Sequence, residues 1–533
     1  MRKSAFPFFA FAGLVIFLVS YWTYGYFGHY GYDDISYARI AHQYSLGNFQ
    51  ALGDNAALRW GLVVPLAVLY KLFGVSDCVS LLYPILATIF LCFLVYQATP
   101  NKQTLSVFAA CVLLFLNPPL LQYSNKIAPD ILVAVAVFAA LLSILVGNQK
   151  PFLGALLFAI SLFFGVISKE TLLLIAPLLF FLFCKAIFQY QNNVFWKWSI
   201  VFSVIVTCIY FGLTYWQCGD ILARIKYVEA GHYLNPCSYN LLPISALLHR
   251  IGHRLWQGLS ETLLLWGFPF VVVNGWHWRS LNQEGKYWTT CTFGLLLCAN
   301  FMTTSYSSYV PLCPDARHYF FVVPAIACAA TFSFRFIKES GQARLVLLLA
   351  VAGQWLLAWW GSSGKIPVEW SCFFLLTVVL VAWKRKRSFY VFISLFCILS
   401  FWKPYQDMQY NHRSNYRQFC SYLIQNFSQR HQRILIFTNP VACHVGSYLM
   451  QFDTTKVRFE SYATMSRVPL QNFDSIFLIH EGMTAYLSST SWGDLPDIVQ
   501  HPPRFLQLQT ERPALVYRVE NRDSLRTFLS QQK

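Results

Sequence analysis

Residues 6–27 read FPFFAFAGLVIFLVSYWTYGYF, and residues 31–47 read GYDDISYARIAHQYSLG. The first stretch is an apolar run of the length that an α-helix needs to cross a bilayer. The second opens with two adjacent acids, carries an apolar stripe at Ile35, Ala38 and Ala41, and ends in a glycine. That pattern is typical of a short amphipathic helix lying at a membrane interface. The two stretches together indicate a membrane protein with a charged first outer loop.

The composition of the whole chain agrees with this interpretation. Only 12% of the 533 residues are charged, against roughly 25% in ordinary globular proteins. Hydrophobic residues make up 56%, aromatic residues 18%, and the mean hydropathy is +0.46. These values exclude a simple soluble protein, a disordered chain, a collagen and a small disulfide scaffold. A chain with the bilayer as its main solvent is the class that remains.

Apolar runs of spanning length recur along the first 403 residues, separated by short polar breaks. Together with residues 6–27 they predict an α-helical polytopic protein with about thirteen transmembrane helices. The twelve further predicted spans are Val79–Tyr96, Leu105–Leu121, Ile131–Val146, Phe152–Ile167, Leu172–Tyr190, Ser199–Trp216, Trp256–Val273, Trp288–Thr303, Tyr319–Phe336, Leu345–Trp360, Val368–Trp383 and Phe389–Trp402.

The distribution of charge predicts how the chain is oriented. Arg2 and Lys3 precede the first run, which lacks a small-residue cleavage site and is therefore interpreted as a retained anchor with a cytoplasmic N-terminus. Alternating from there, eleven acids fall in the outer loops and two in the cytoplasmic breaks. The breaks on the cytoplasmic side carry Lys102, Lys150, Lys185, Lys197, Arg279, Lys286, Arg335, Lys338, Arg344 and the run Lys384 to Arg387. This basic bias accounts for most of the net charge of +17, so no nucleic-acid partner is needed.

Two segments need separate interpretation. The apolar stretch Gly61–Phe73 is predicted to be a re-entrant or surface helix, because a full span there would reverse the orientation of every later loop. After a polar linker at Lys403–His412, the tail changes character and predicts a small outer α/β domain. We therefore expect a membrane domain over residues 1–403, with its first outer loop at 28–78, and a second domain over 404–533. The predicted strands are Arg433–Phe437, Val457–Phe459, Ile476–Ile479 and Leu515–Val519, and the predicted helices are Ser414–Phe427 and Ala442–Gln451.

The long outer loop at 217–255 contains two residue pairs with a chemical interpretation. Cys218 and Cys237 could form a disulfide in an oxidising compartment, although the sequence does not decide their partnership. His249 and His253 are four residues apart and could share a helix face. Without a matching Glu and His motif, however, they are weak evidence for a metal site.

The adjacent acids Asp33 and Asp34 are the predicted catalytic pair. A helix N-cap needs only one acid, so capping explains one of them, and Asp34 is the better candidate for that role. A second carboxylate at the same membrane surface suits a general base that acts on a hydroxyl group.

Further outer turns contribute cations and acids at the depth of the lipid headgroups. Arg59, Lys169 and Arg317 are predicted to bind the phosphate of a lipid donor, and a role as interfacial anchors is the alternative for Lys169 and Arg317. The other predicted residues of the cavity are Asp130, Glu170, His318 and Tyr319.

A cavity with acids for proton transfer and cations for an anion fits glycosyl transfer from a polyprenyl phosphate. The leaving phosphate is a weak base, so it needs cationic stabilisation and no general acid. One carboxylate then activates the acceptor hydroxyl for a single inverting displacement.

The stretch Tyr32–Leu46, followed by Arg59-Trp60-Gly61 and Leu72-Phe73-Gly74, resembles the first outer loop of the GT-C glycosyltransferases. The resemblance is to the protein O-mannosyltransferase and lipid A aminoarabinose transferase group in particular. Asp33 matches the acid regarded as the catalytic base of these families, whereas Asp34 stands where they usually carry Glu. Further landmarks in the same order are Asn117-Pro118, Pro129-Asp130, Ser168-Lys169-Glu170, Arg317-His318-Tyr319 and Pro324.

This resemblance implies the GT-C fold, a polyprenyl-phosphate sugar donor and a glycolipid, polysaccharide or protein acceptor. The predicted location is a bacterial inner membrane, and the charge distribution predicts that the active site lies on its periplasmic side. Some relatives hold a divalent metal ion and others do not, so the metal stays open.

Two other functional classes remain as alternatives. A lipid-linked saccharide transporter or flippase predicts broken helices with charges near the bilayer midplane, whereas the charges here crowd one face. An outer-face oligosaccharide ligase or polymerase also combines about a dozen spans with an outer loop that carries Arg and His. The acidic pair directly after the first helix favours the monosaccharide-phosphate interpretation.

Overall fold

The computed structural model describes residues 6–26, 28–29, 31–49, 54–99, 104–189, 192–232, 237–239, 242–361, 367–383, 385, 387–412, 415–428, 432–481, 502–510 and 514–531. Two compact units divide the chain. The membrane unit comprises Met1–Gly25, Phe49–Leu62 and Tyr83–Met408. The second unit comprises Tyr26–Asn48, Val63–Leu82 and Gln409–Lys533, so it combines two stretches of the predicted first outer loop with the C-terminal domain.

The described residues are mostly helical. Up to residue 301 the α-helices are α1 Phe6–Tyr24, α2 Asp33–Ser45, α3 Trp60–Phe73, α4 Asp77–Ala98, α5 Thr104–Phe115, α6 Pro118–Tyr123, α7 Asp130–Gly147, α8 Pro151–Ser168, α9 Ala176–Phe188, α10 Asn193–Cys218, α11 Ala223–His232, α12 Ile244–His249, α13 Leu255–Glu261, α14 Phe268–Trp276 and α15 Gln283–Phe301. The helices that follow are α16 Val323–Glu339, α17 Gly341–Gly361, α18 Val368–Ala382, α19 Arg387–Ser400, α20 Trp402–His412, α21 Asn415–Phe427, α22 Pro440–Leu449 and a C-terminal helix, Arg522–Gln531. Short 3-10 helices lie at Asn55–Leu58, Glu170–Ile175, Trp278–Ser280, Ala316–Val322, Tyr462–Arg467 and Leu470–Asn472, and a π-helical turn lies at Arg250–Arg254.

Within the described ranges, eight helices are long and apolar enough to cross a membrane. The chain is therefore an integral membrane protein, as predicted, while the count of thirteen spans stays a prediction. The eight are Asp77–Ala98, Asp130–Gly147, Pro151–Ser168, Glu170–Phe188, Asn193–Cys218, Ala316–Glu339, Gly341–Trp360 and Arg387–Gln409; shorter apolar helices are Phe11–Tyr24, Trp60–Phe73 and Val368–Ala382.

The spans differ in how far they are buried inside the membrane unit. Ala316–Glu339 is 83% buried and Asp130–Gly147 is 78% buried, whereas Asn193–Cys218 is only 17% buried. Asn193–Cys218 therefore turns apolar side chains outward, where lipid tails solvate them as well as a protein core would. The two buried spans form the interior of the membrane unit; one begins at Asp130 and the other begins one residue before Arg317.

Two predicted spans are each divided into two helices. Leu105–Leu121 contains the end of α5 and the start of α6, because Pro118 and Pro119 lack the backbone N–H groups that a continuous helix needs. Trp256–Val273 is divided between α13 and α14, with Leu263 at φ +63° in the break. The break carbonyls of Leu263 and Leu264 accept hydrogen bonds from the Asn117 amide, so the two breaks are joined.

The C-terminal domain of the second unit contains a five-stranded mixed sheet in the order β2-β1-β3-β5-β4. Its strands are β1 Ile434–Thr438, β2 Val457–Ser461, β3 Ser475–Glu481, β4 Leu506–Thr510 and β5 Ala514–Val519. β1 runs parallel to β2 and β3, whereas β5 runs antiparallel to β3 and β4. Every residue of β1 is buried, which is typical of a central strand covered on both faces.

Two hydrophobic clusters cover the two faces of this sheet. Leu435 and Phe437 of β1 pack on one face with Leu525 of the C-terminal helix, while Ile434 and Ile436 pack on the other with α21. The alternation follows from the two-residue period of a strand.

The residues predicted as a polar linker, 403–412, form the helix α20 instead. Two contacts of Asp407 stabilise this helix: Asp407 pairs with Lys403 across one helical turn and accepts a hydrogen bond from the Gln122 amide.

Candidate functional site

The first turn of α2 separates the two acids that the sequence pairs. Asp34 is buried, and its Oδ1 accepts hydrogen bonds from the backbone N–H groups of Tyr32 and Ile35, at 3.1 and 2.9 Å. Asp33, the neighbouring acid, is exposed. Asp34 therefore stabilises the start of the helix, as a capping acid does, and Asp33 is the member of the predicted pair that can face a substrate.

A histidine that the sequence did not single out contacts the buried acid. His29 Nδ1 lies 3.3 Å from Asp34 Oδ2, and His29 Nε2 lies 3.2 Å from Asp77 Oδ1. Burial by itself lowers the pKa of His29, but the two carboxylates outweigh this effect and raise the pKa to about 9. No local motif indicates this arrangement, because Asp77 lies 48 residues further along the chain.

In the membrane unit, Glu170 lies between two arginines. Its Oε1 is 2.9 Å from a terminal nitrogen of Arg59, and its Oε2 is 3.3 Å from a terminal nitrogen of Arg224. The Asn55 amide donates a hydrogen bond to the same Oε2 at 3.4 Å. Arg224 is 6% exposed and was not predicted for the site; its position after α10 gives no local signal for this partnership.

A close backbone contact brings Arg59 to this position. Gly61 packs on Ser168, and a Cβ atom at Gly61 would lie 2.1 Å from Ser168 Oγ and 3.1 Å from Ser168 Cα. Only glycine permits this approach without a shift of the backbone. The contact sets the start of α3 against the end of α8. Arg59, which precedes α3, can therefore reach Glu170, which follows α8 by two residues.

A second ion-paired group lies directly beside the first. Lys169 Nζ is 2.6 Å from Asp130 Oδ1 and 3.1 Å from His318 Nδ1. His318 Nδ1 is also 3.4 Å from Asp130 Oδ1. The Lys169 and Asp130 side chains are only 8% and 5% exposed, so both charges are held away from bulk solvent. The positive charge of Lys169 also interacts with the Glu170 carboxylate, so the two ion-paired groups stabilise each other electrostatically.

The loop before α16 contributes the last predicted cation. Arg317 Nε lies 3.0 Å from Asp315 Oδ2, with side chains 29% and 42% exposed, and the Arg317 charge acts on Asp130. Tyr319 is buried, and its hydroxyl donates to the Leu312 carbonyl at 3.0 Å. The fully buried Arg250 donates to the same carbonyl at 2.9 Å. Tyr319 and Arg250 therefore hold the loop that carries Arg317.

A disulfide fixes the same loop. Cys237 is bonded to Cys313, 76 residues away, with a Cα–Cα distance of 5.5 Å, and Cys218 is a free thiol. A bond between Cys218 and Cys237, which the shared loop had suggested, is therefore wrong. The backbone N–H of Tyr239 donates to the Tyr309 carbonyl, and this contact brings Cys237 to the loop before α16.

Removing this disulfide is expected to lower stability without changing the fold. A 76-residue closed loop corresponds to a stabilisation of about 4.5 kcal/mol in the chain-entropy description. We expect Cys237→Ser and reduction by a thiol to lower the Tm of the detergent-solubilised protein equally, and Cys218→Ser to leave it unchanged. Peptide mapping without reductant should recover a fragment linking Cys237 to Cys313. A fragment linking Cys218 to Cys237 would contradict the structure.

The described residues include no group of three or more His, Cys, Asp and Glu side chains arranged to hold a metal ion. The His249 and His253 rings are 3.9 Å apart, but His253 stacks on Trp360, so this pair has an aromatic neighbour in place of further ligands. His29 directs its two nitrogens to opposite carboxylates and likewise does not converge with them on one point.

The membrane unit thus brings together most of the residues predicted for the cavity, and adds one. The group contains three cations and two carboxylates in close contact, with Arg317 and His318 beside them, so positive charge is in excess. Buried guanidinium and ammonium groups of this kind can bind a phosphate through charge-assisted hydrogen bonds. The three cations and two carboxylates of this group are Arg59, Lys169, Arg224, Asp130 and Glu170. Asp33 and Asp34 belong to the second unit, and the catalytic and binding roles stay predictions.

The chain is an integral membrane protein with the GT-C fold, as the sequence resemblance implied. It is similar to ArnT from Cupriavidus metallidurans bound to undecaprenyl phosphate, with a TM-score of 0.59 and 11% identity, over 97% of this chain and 98% of that one. For ArnT from the same organism in the apo state, the TM-score is 0.55 and the identity 12%, over 95% and 98% of the chains.

The oligosaccharyltransferase from Archaeoglobus fulgidus in the apo form has a TM-score of 0.50 and 10% identity, over 90% of this chain and 70% of that one. No protein-family model and no curated protein sequence matches the chain. At these identities the likeness shows the fold.

Proposed function

We propose that this protein is an inverting glycosyltransferase that moves one sugar from a polyprenyl-phosphate donor to an acceptor hydroxyl at the outer face of a membrane. The observation that carries the proposal is the cationic group of the membrane unit, where the buried Arg224 and Lys169 and the partly buried Arg59 pair with two carboxylates. The fold supports it, because ArnT with the same fold binds undecaprenyl phosphate.

The proposed reaction is a single displacement. The acceptor oxygen forms a bond to the anomeric carbon as the bond from that carbon to the phosphate oxygen breaks. The phosphate leaves with the electron pair, and the cations stabilise its new negative charge. Asp33 takes the proton of the acceptor hydroxyl as a general base. No proton donor to the leaving group is required, because a phosphate is a stable anion at neutral pH.

We further propose a bacterial inner membrane, with the N-terminus cytoplasmic and the site on the periplasmic side. The disulfide between Cys237 and Cys313 supports this orientation, because disulfides persist in oxidising compartments such as the periplasm. Cys313 lies four residues before Arg317, so the segment that carries Arg317 would lie in the same compartment as the disulfide. The basic breaks between spans would then lie in the cytoplasm.

Transfer by the purified protein in detergent micelles tests this proposal. The protein would be incubated with a panel of polyprenyl-phosphate sugars and with envelope glycolipids, polysaccharides and proteins from cells that lack it. We expect one donor and one acceptor to give a product that mass spectrometry identifies. A detergent micelle does not separate two compartments, so a flippase would have no transport to carry out and would give no product. Transfer only from diphosphate-linked oligosaccharides would identify a ligase or polymerase and contradict the single-sugar proposal.

Replacing Arg317 with alanine is expected to weaken donor binding. Hydrogen bonds to charged groups contribute about 1.5 to 3 kcal/mol, so the donor Kd should rise roughly 10- to 100-fold. Asp315→Asn is the control, because it removes the ion-pair partner at 3.0 Å and keeps the Arg317 guanidinium. Equilibrium binding of a fluorescent polyprenyl phosphate measures both variants. Unchanged affinity in Arg317→Ala would make Arg317 an interfacial anchor.

A further inference from the structure

The second unit holds a buried charged group that the proposed reaction does not use. His29 is 2% exposed and lies between Asp34 of α2 and Asp77, the first residue of α4. One imidazole thus connects the first turns of two helices that are more than 40 residues apart in the sequence. The contact to Asp77 has hydrogen-bond geometry, whereas the contact to Asp34 is an ion pair at 3.3 Å.

The C-terminal domain encloses this group. Tyr448 of α22 packs its ring edge-on against His29, with centroids 4.6 Å apart, and its hydroxyl is 2.6 Å from Ser80 Oγ. Gly31 has φ +79°, and a Cβ atom there would lie 2.8 Å from the Val441 side chain. The segment before α2 is therefore packed against α22, and the position of Gly31 admits only glycine without strain.

A second contact joins the same two helices. A terminal nitrogen of Arg39, in the middle of α2, is 3.3 Å from His444 Nδ1 of α22. The Arg39 guanidinium also lies over the Phe452 ring, 5.8 Å from its centroid. The middle of α2 is thus held to α22 and to the turn after it, while its acidic first turn is held through His29.

We infer that His29 is a positioning residue whose contacts with Asp34 and Asp77 hold the first turn of α2 and thereby orient Asp33. This inference rests on the proposed function, because it takes Asp33 as the base. His29 does not contact substrate in this role. It acts through the helix, and the C-terminal domain contributes by enclosing it.

The groups that face His29 define how this arrangement responds to pH. They are Asp34 from α2, Asp77 from α4, Tyr26 from the segment after α1 and Tyr448 from α22. The folded-state pKa of His29, about 9, is above its ordinary value of 6.5. Its contribution to stability is therefore fully present below pH 6.5 and is lost as the pH rises through about 9.

The pH dependence of kcat tests the inference. In the wild type we expect kcat to fall above pH 9 by about tenfold per pH unit, because the neutral imidazole no longer holds Asp34. His29→Gln should have a lower kcat that is flat from pH 7 to 10, with donor Kd changed less than twofold. Tyr448→Phe keeps the ring and the imidazole, so it should keep the fall above pH 9. The same fall in His29→Gln would overturn the inference.

Hydrogen exchange separates this inference from the proposed function. In the wild type, the amides of Asp33–Ser45 should lose protection between pH 8 and 10 relative to intrinsic exchange rates, whereas in His29→Gln they should be equally unprotected already at pH 7. If no donor supports transfer but these exchange results hold, the proposed reaction fails and the positioning of α2 by His29 stands. If transfer occurs and protection of α2 is the same in both proteins, the positioning role is wrong and the reaction stands.

Discussion

Asp33→Asn is expected to fold normally and to lose transfer by a factor of about 10² to 10⁴, the usual contribution of a positioned general base. Asparagine keeps the size of the side chain but does not accept a proton from the acceptor hydroxyl. Because Asp33 is exposed at the start of α2, its replacement leaves the buried contacts of Asp34 in place. The measurement is the single-turnover rate with saturating donor, together with the Tm of each protein.

Asp34→Asn is the matched comparison, because it makes the same chemical change at the neighbouring residue. It removes the charge that faces His29 at 3.3 Å, so it should lower the Tm, unlike Asp33→Asn. Asp220→Asn, at a half-buried acid paired with Lys226, should change neither property. A normal transfer rate in Asp33→Asn would remove Asp33 from the proposed reaction and leave a carrier or ligase as the better interpretation.

The fold was largely predictable from the sequence, because the segments that cross a bilayer must be apolar and are therefore visible in the composition. A run of apolar residues long enough to cross the membrane must form a helix, since no other structure satisfies its backbone hydrogen bonds there. Averaging hydropathy over the length of a span reveals such runs, but the same averaging hides short breaks in the helix. The break between α13 and α14 depends on Leu263 in a left-handed conformation, and hydropathy carries no signal for that. In the C-terminal domain, β4 was not predicted because its sequence, LQLQT, is short and largely polar.

The candidate site was predictable only as a set of residues on one side of the membrane. Arg59 and Glu170 are 111 residues apart, and Glu170 and Arg224 are 54 apart. Their contacts depend on which spans pack together, and sequence periodicity says which face of a helix is apolar but not which helix it meets. The same limit explains why Cys313 was not considered as a partner of Cys237, and why the link between His29 and Asp77 was missed.

Lys169→Met is expected to lower the stability of the protein strongly and to weaken donor binding as well. It leaves the Asp130 carboxylate, 5% exposed, without the ammonium partner that lies 2.6 Å away. Removing one partner of a buried ion pair costs about 3 to 5 kcal/mol, because the remaining charge is desolvated without compensation. Thermal unfolding in detergent and donor binding with a fluorescent polyprenyl phosphate measure the two effects.

The double variant Lys169→Met with Asp130→Asn separates the two roles of the lysine. Removing both charges removes the uncompensated carboxylate, so most of the lost stability should return, and the coupling between the two changes is read from the double-mutant cycle. Donor affinity should stay roughly 10- to 100-fold below the wild type, because no ammonium remains to bind the phosphate. If donor affinity returned together with stability, Lys169 would only neutralise Asp130, and the proposed phosphate site would rest on Arg59 and Arg224.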